Sequence, residues 1–322
     1  MSTPPADDLE LVVQPAEAGT RLDRFLADRL GLGLRGLRRW AEDHEARVND
    51  RTAAKGARLA AGDRVALPSL PPAADWRPAP EPDLEIRLAH ADAYLLAADK
   101  PAGMPCHPNR PEERGTLVAG LLASYPELAG VGDHAREPGL VNRLDSDTSG
   151  LVLLARTEPS FRALKRSFGW RQVAKQYLAL VHGAVDAPGR VDLPLAHHPG
   201  DARRMVAVLG PRTRVRGKPL PARTEFEPQQ RLPEFTLVRV RARTGRMHQV
   251  RVHLAAAGFP VAGDALYAPR GSAPPAGLAR QFLHASGLDL PHPAGRRLRL
   301  QSPLPPDLDR VLEALARNRL GR

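Results

Sequence analysis

In "GLVNRLDSDTSGLVLLAR" (139–156), Arg143, Asp145, Ser146, Asp147, Thr148 and Ser149 stand between two apolar runs. A carboxylate fixed on such a loop can act as an acid, a base or a nucleophile. Leu140 and Val141 lead in, Leu151 to Leu154 lead out, and both flanks read as short buried strands. The bland alternative is a surface turn, which uses the same residue types. The sharper one is an active-site loop whose carboxylate is aimed by the core beneath it. Asp145 and Asp147, two residues apart, would face different ways on an extended loop, which argues against a two-carboxylate glycosidase.

Three further segments carry chemically able residues. They are "DKPAGMPCHP" (99–108), "KQYLALVHG" (175–183), where Tyr177 opens a strand, and "RTGRMHQVRVHLAAAGFPVAGDALYA" (243–268). In the last, helical spacing puts Val250, Leu254 and Ala257 on a core face and sets His248 and Arg251, at i and i+3, on another. An arginine there can pair with a buried carboxylate such as Asp145 and keep it ionised and oriented. Each residue alone also has an ordinary reading. Tyr177 reads as a core tyrosine, Arg246 and Arg251 as phosphate contacts or surface charges, and Gly263-Asp264 as a turn.

The elements that would position these groups fall into two regions. Residues 1–67, with a core at 20–67, read as a small α+β module. Leu22, Phe25, Leu26 and Leu30 follow helical spacing, and a second helix is expected from about Leu34 to Glu42, with Arg35, Arg38 and Arg39 on neighbouring turns. "ARVNDR" reads as a strand entering a turn at Asn49-Asp50, and "AGDRVAL" (61–67) as a turn and a strand. Residues 68–82 contain six prolines and read as an extended linker. From 83 to 322, strands at 93–98, 151–155, 177–181 and 236–241 alternate with helices at 160–168 and 248–257. This pattern predicts an α+β domain with a mixed, largely antiparallel sheet and flanking helices. No glycine-rich phosphate loop is present.

The 322 residues carry a formal charge of +11, which points to a polyanionic partner, with nucleic acid expected. Residues 190–251 hold 14 Lys+Arg against 5 Asp+Glu, whereas residues 1–67 hold 11 of each. A localised excess suits phosphate binding better than general solubility. The single cysteine, Cys106, excludes an internal disulfide and a cysteine-rich zinc site. The histidines lack a recognised metal spacing, so no metal is expected. A polar start and no apolar run of membrane-spanning length predict a cytoplasmic protein off the membrane.

Taken together and in order, these phrases resemble the RluA-type family of pseudouridine synthases, over roughly residues 83–310. "NRLDSDTSG", "KPAGMPCHP", "KQYLALVHG", "TGRMHQVRVHLAAAGFPVAGDALY" and "FLHASGLDLPHP" carry the likeness. "RLDRFLA", "ARVNDR" and "AGDRVAL" resemble a ribosomal-protein-S-four-like RNA-binding module. The resemblance implies isomerisation of uridine in RNA without a cofactor, by a monomer, after the nucleotide is flipped out of its stack. Large-subunit ribosomal RNA is the expected substrate, with transfer RNA as the alternative. It implies that Asp145 is the catalytic aspartate, that Tyr177 lies against the base as proton acceptor, and that Arg251 pairs with the aspartate. Arg143 would hold the flipped nucleotide's place, Leu151 and its neighbours would wall the pocket, and Arg246, His248, Arg35, Arg38 and Arg39 would contact RNA. The family has His where this chain has Asn142. Asn keeps hydrogen-bonding capacity but does not titrate, so a catalytically impaired RNA-binding assembly factor is the competing expectation.

Overall fold

A computed structural model of the chain describes residues 9–30, 46–54, 56–67, 77–110, 112–269 and 271–320. Two compact units emerge, Met1–Arg77 and Pro78–Arg322. Residues 78–82, which read as linker, fall within the second unit. There the Glu81 N–H donates to the Ala119 carbonyl (2.9 Å), and the Glu81 carboxylate accepts the Gly115 N–H (2.9 Å).

The first unit is a four-stranded antiparallel sheet in the order β1 (Leu9–Val12), β4 (Arg64–Leu67), β2 (Arg47–Val48), β3 (Arg51–Thr52), with helix α1 (Leu22–Leu30). Leu22, Phe25 and Leu26 of α1 bury against Val13, Val65 and Leu67. The β2–β3 hairpin turns at Asn49 and Asp50, both left-handed (φ 50° and 64°). Asn and Asp are the non-glycine residues that best tolerate this geometry. The helix expected at 34–42, with Arg35, Arg38 and Arg39, lies outside the described residues.

The second unit is built on a nine-stranded sheet. Its strands are β5 (Leu88–Ala91), β6 (Leu95–Lys100), β7 (Ser149–Ala155), β8 (Ala174–His182), β9 (Gly189–Val191), β13 (Thr224–Arg231), β14 (Phe235–Ala242), β15 (Leu283–Pro291) and β16 (Arg297–Gln301). They run in the order β5-β6-β7-β15-β8-β14-β13-β9, with β16 on β15. The β7–β15 pair is parallel and the others are antiparallel, so the α+β expectation holds. A small sheet of β10 (Leu195–His197), β11 (Met205–Ala207) and β12 (Arg216–Leu220) interrupts the chain between β9 and β13.

The helices of this unit are α2 (Leu117–Ser124), α3 (Glu158–Gly169), α4 (Gln249–Ala256) and α5 (Pro306–Leu320). Sequence periodicity shows α3 and α4 but not α2, because Leu117 to Leu122 are buried all round and leave no polar face. In α5 the stripe Leu308, Val311, Leu312, Leu315 packs on the sheet core. Its helical spacing is plain in the sequence, yet the expected pair of helices omitted it. Two expectations are corrected. Leu140 and Val141 form no strand, only a single bridge from Leu140 to Leu154. Helix α4 starts at Gln249, and His248 stands before it in a left-handed conformation (φ 54°, ψ 18°).

Candidate active site

The loop before β7 is tied down residue by residue. Asn142 Oδ1 accepts the Leu153 N–H (2.8 Å), pinning the loop's entry to β7. This is an acceptor's task, which a neutral His could also perform through Nδ1, so Asn142 is accounted for structurally. The buried Cys106 thiol meets both backbone groups of Leu144, accepting its N–H (3.3 Å) and reaching its carbonyl (3.4 Å). Arg280 donates to the Asp147 carbonyl (3.0 Å) and Gln281 to Thr148 Oγ1 (3.0 Å). Ser149 Oγ meets His284 Nδ1 (2.9 Å). Gly150 completes the exit. At φ 112° a Cβ there would sit 2.3 Å from the Ala285 carbonyl oxygen of β15, so only glycine brings the parallel pair together.

Two buried lysines clamp the site loops from below. Lys100, wholly buried at the end of β6, donates to the carbonyls of Pro101 (2.8 Å), Met104 (2.7 Å) and Ser146 (2.7 Å). Burial pushes its ammonium down to about 8. Lys175 of β8 donates to the Thr244 carbonyl in the loop that precedes α4. Burial, then the Arg246 charge, lowers it to about 8 as well.

With its loop so fixed, Asp145 meets Arg251 of α4, Nη1 to Oδ2 at 2.7 Å. The guanidinium is not aimed by Asp145 alone. Asp264 grips it from the other edge, accepting Nε (2.7 Å) and Nη2 (2.8 Å), and Asp264 in turn accepts the backbone N–H groups of Leu266 and Tyr267. Side-chain exposure grades outward, 0% for Asp264, 5% for Arg251 and 25% for Asp145. The outermost member of the line is the one that solvent reaches. Burial opposes the charge on Arg251, but Asp264 and then Asp145 outweigh it and hold the guanidinium ionised.

Asp264 had read as part of a turn. A Cβ at Gly263 (φ 74°) would lie 2.3 Å from the Arg280 carbonyl oxygen, so the glycine lets the chain pass close enough to bury the aspartate beside it. Lys100 and Tyr267 also join the site unforeseen. The Tyr267 ring centre lies 5.2 Å from the Arg251 guanidinium carbon and 5.6 Å from that of Arg204.

Tyr177 stands on β8 close enough to feel the charge of Asp145. Burial and that charge hold its phenol well above the usual range, so it rests neutral. His248 brings Nε2 to 3.8 Å from Asp145 Oδ2. Arg246 is half-buried in the loop before α4, and its Nε donates to the Pro221 carbonyl (3.3 Å). Arg143 turns to Glu137 (3.1 Å) and His107 (3.1 Å). Leu151 is buried in the sheet core. Of the expected site residues, the fold therefore gathers Asp145, Tyr177, Arg251 and His248.

One group of potential metal ligands occurs among the described residues, His90, Asp92 and His292. His292 Nδ1 accepts the Ala294 N–H (3.1 Å), so its Nε2 carries the proton and donates to Asp92 (2.8 Å). A metal would need that lone pair, and the three side chains instead satisfy one another across the β5–β6 turn and the end of β15.

Comparison with known proteins matches residues 94–256 to the family model described as RNA pseudouridylate synthase. An uncharacterized RNA pseudouridine synthase of Chloroflexus aurantiacus is 38% identical over 96% of this chain and 94% of its own length. Ribosomal large subunit pseudouridine synthase D of Xanthomonas campestris is 35% identical over 95% and 92%. Among solved structures, human RNA Pseudouridylate Synthase Domain Containing 4 aligns at a TM-score of 0.55 and 28% identity, over 71% of this chain and 92% of its own. The chain belongs to the RNA pseudouridylate synthase family and is an RNA pseudouridine synthase, an isomerase.

Proposed function

We propose that this synthase isomerises uridine in large-subunit ribosomal RNA, with Asp145 as the reacting carboxylate. The observation that carries the reading is the graded line Asp264–Arg251–Asp145, in which two buried groups hold one part-exposed carboxylate. Several relatives of similar length are named large-subunit synthases, which supports the choice of RNA. In the reaction the bond from C1′ to N1 breaks, the uracil turns, and C5 bonds to C1′. The proton leaves C5, and N1 gains one. Asp145 either attacks C1′ or removes the proton from C2′, both within the chemistry open to a carboxylate.

Tyr177 accepts the C5 proton late. While Asp145 is charged, the phenol is held neutral by burial and by that charge. Once the carboxylate has bonded or taken a proton, one of the two opposing influences is gone. Arg143 and Arg246 contact the RNA, Arg143 taking the flipped nucleotide's place. The first unit acts as an S-four-like RNA-binding module. The enzyme works as a cytoplasmic monomer, and among the described residues no helix is long and apolar enough to cross a membrane.

The test is to map pseudouridine in ribosomal and transfer RNA from cells with and without the protein. One site lost from large-subunit RNA is expected. A site lost from transfer RNA alone, or no site lost, would overturn the substrate assignment.

A further inference from the structure

His248 holds an unusual backbone. A left-handed φ of 54° is unfavourable for histidine, and its side chain makes no capping bond to α4. Strain of this kind persists where the surroundings require a side chain to point one way.

Its direction and its proton can both be read from the bonds around it. The Met205 N–H donates to Tyr267 Oη (2.8 Å), and Tyr267 Oη lies 2.8 Å from His248 Nδ1. With one lone pair of the phenol already engaged, the phenol proton goes to Nδ1. The reverse order would leave that proton without an acceptor among the described residues. An accepting Nδ1 fixes the hydrogen on Nε2. Burial lowers the imidazole's pKa, which keeps the ring neutral and this tautomer in place. The Nε2–H lies beside Asp145 Oδ2, but 3.8 Å is too long for a hydrogen bond. No acceptor for it occurs among the described residues. A donor on a part-buried side chain has thus been locked next to the carboxylate and left open.

We propose that His248 donates its Nε2–H to the 2′-oxygen of the target uridine. Asp145 acts at C1′ or C2′ under the function proposed above, on which this inference rests, and the 2′-oxygen is the substituent nearest that chemistry. The Tyr267 hydroxyl, which Tyr267→Phe removes while keeping the ring against Arg251, is then a positioning group that acts through His248. The arrangement would also discriminate RNA from DNA at the reacting nucleotide, since the 2′-hydroxyl is what distinguishes them.

The test uses the full chain and a large-subunit ribosomal RNA fragment that it modifies, with either uridine or 2′-deoxyuridine at the modified position. Single-turnover rate and half-saturation are measured for His248→Asn, His248→Gln and Tyr267→Phe. Gln places an N–H near the position of Nε2, whereas the shorter Asn reaches only the position of Nδ1. Asn suits the left-handed backbone better than Gln does. A purely structural role therefore predicts that Asn rescues and Gln fails, and the proposal predicts the opposite. His248→Asn is expected to lose about tenfold or more in rate over half-saturation, the size of one lost hydrogen bond, with unimpaired thermal melting.

Tyr267→Phe should cost a similar factor in the wild-type background and little in His248→Gln, because an amide needs no tautomer set for it. On the 2′-deoxyuridine fragment the His248→Asn penalty should vanish. Equal loss in Asn and Gln, or a penalty that persists on the deoxy fragment, overturns the proposal while leaving the function intact. A wild-type chain that modifies no RNA overturns the function, and this inference with it.

Discussion

Two sets of arginines lie within residues 190–251, and they are treated in opposite ways. Around α4, Arg251 is buried and each of its bonds is matched by a carboxylate, two from Asp264 and one from Asp145. On β12 and the segment leading into it, Arg212, Arg214, Arg216 and Lys218 are exposed, and none has a carboxylate partner among the described residues. Between these extremes, Arg190, Arg203, Arg223, Arg239 and Arg243 share surface pairs with Asp192, Asp201, Glu225 and Glu227. Net charge alone therefore misplaces the function of this stretch. Its buried arginine fixes the carboxylate proposed to react, and its unmatched surface cations carry no carboxylate partner among the described residues.

The contrast breaks first at Arg251. Arg251→Ala would leave the fully buried Asp264 without its cation, and one uncompensated buried charge costs roughly 3–5 kcal/mol. A drop in melting temperature together with loss of turnover is expected. An unchanged melt would show that Asp264 is not buried as an ion. Asp264→Asn keeps the shape but frees one edge of the guanidinium. A carboxylate misplaced by about 1 Å costs on the order of 10²-fold in rate. Single-turnover kinetics should show that loss with RNA affinity nearly unchanged. A rate within a few fold of wild type would mean that Asp145 does not depend on the second aspartate.

How much of this was legible depends on whether the cause is local. Alternating and helical patterns gave the main strands, α3 and α4, and the spacing of His248 and Arg251 suggested a carboxylate partner. The Arg251–Asp145 contact joins residues 106 positions apart, yet both lie in recognisable phrases. Asp264 was hidden because Gly-Asp serves equally well in an exposed turn, and only the close passage of Gly263 past Arg280 buries it. The left-handed His248 was hidden too, since helical spacing extends one residue too far across it. Lys100 carries no local sign of its three carbonyl partners, which come from its own turn and from residue 146.

Those three carbonyls set a pH limit. An ammonium has three protons to give and a neutral amine has two. As pH rises through about 8, Lys100 loses a proton and one carbonyl loses its donor, so activity should fall over that range. Stability should move the other way. The folded value lies below the 10.5 of a solvated lysine, so the unfolded chain binds more protons between the two. The penalty of burying the charge is full below about 8 and fades above it. Turnover and melting temperature measured from pH 7 to 9.5 check both signs, and turnover that stays flat would contradict the clamp.

The exposed set should give the smallest effect on chemistry. Changing Arg212, Arg214, Arg216 and Lys218 together to Gln should lower the slope of log affinity against log salt. Each lost phosphate contact on single-stranded RNA accounts for about 0.7 units. The rate at saturating RNA should be unchanged. A slower rate with an unaltered slope would move these residues from the RNA backbone to the site.

Asp145→Asn tests the central claim most directly. The substitution turns the carboxylate that Arg251 holds into an amide while leaving the loop, its clamps and the exposed cations in place. Proton release from uridine C5 under single-turnover conditions should disappear, with RNA affinity within a few fold of wild type. Proton release that continues in the variant would contradict the account, because some other group would then be acting on the ribose.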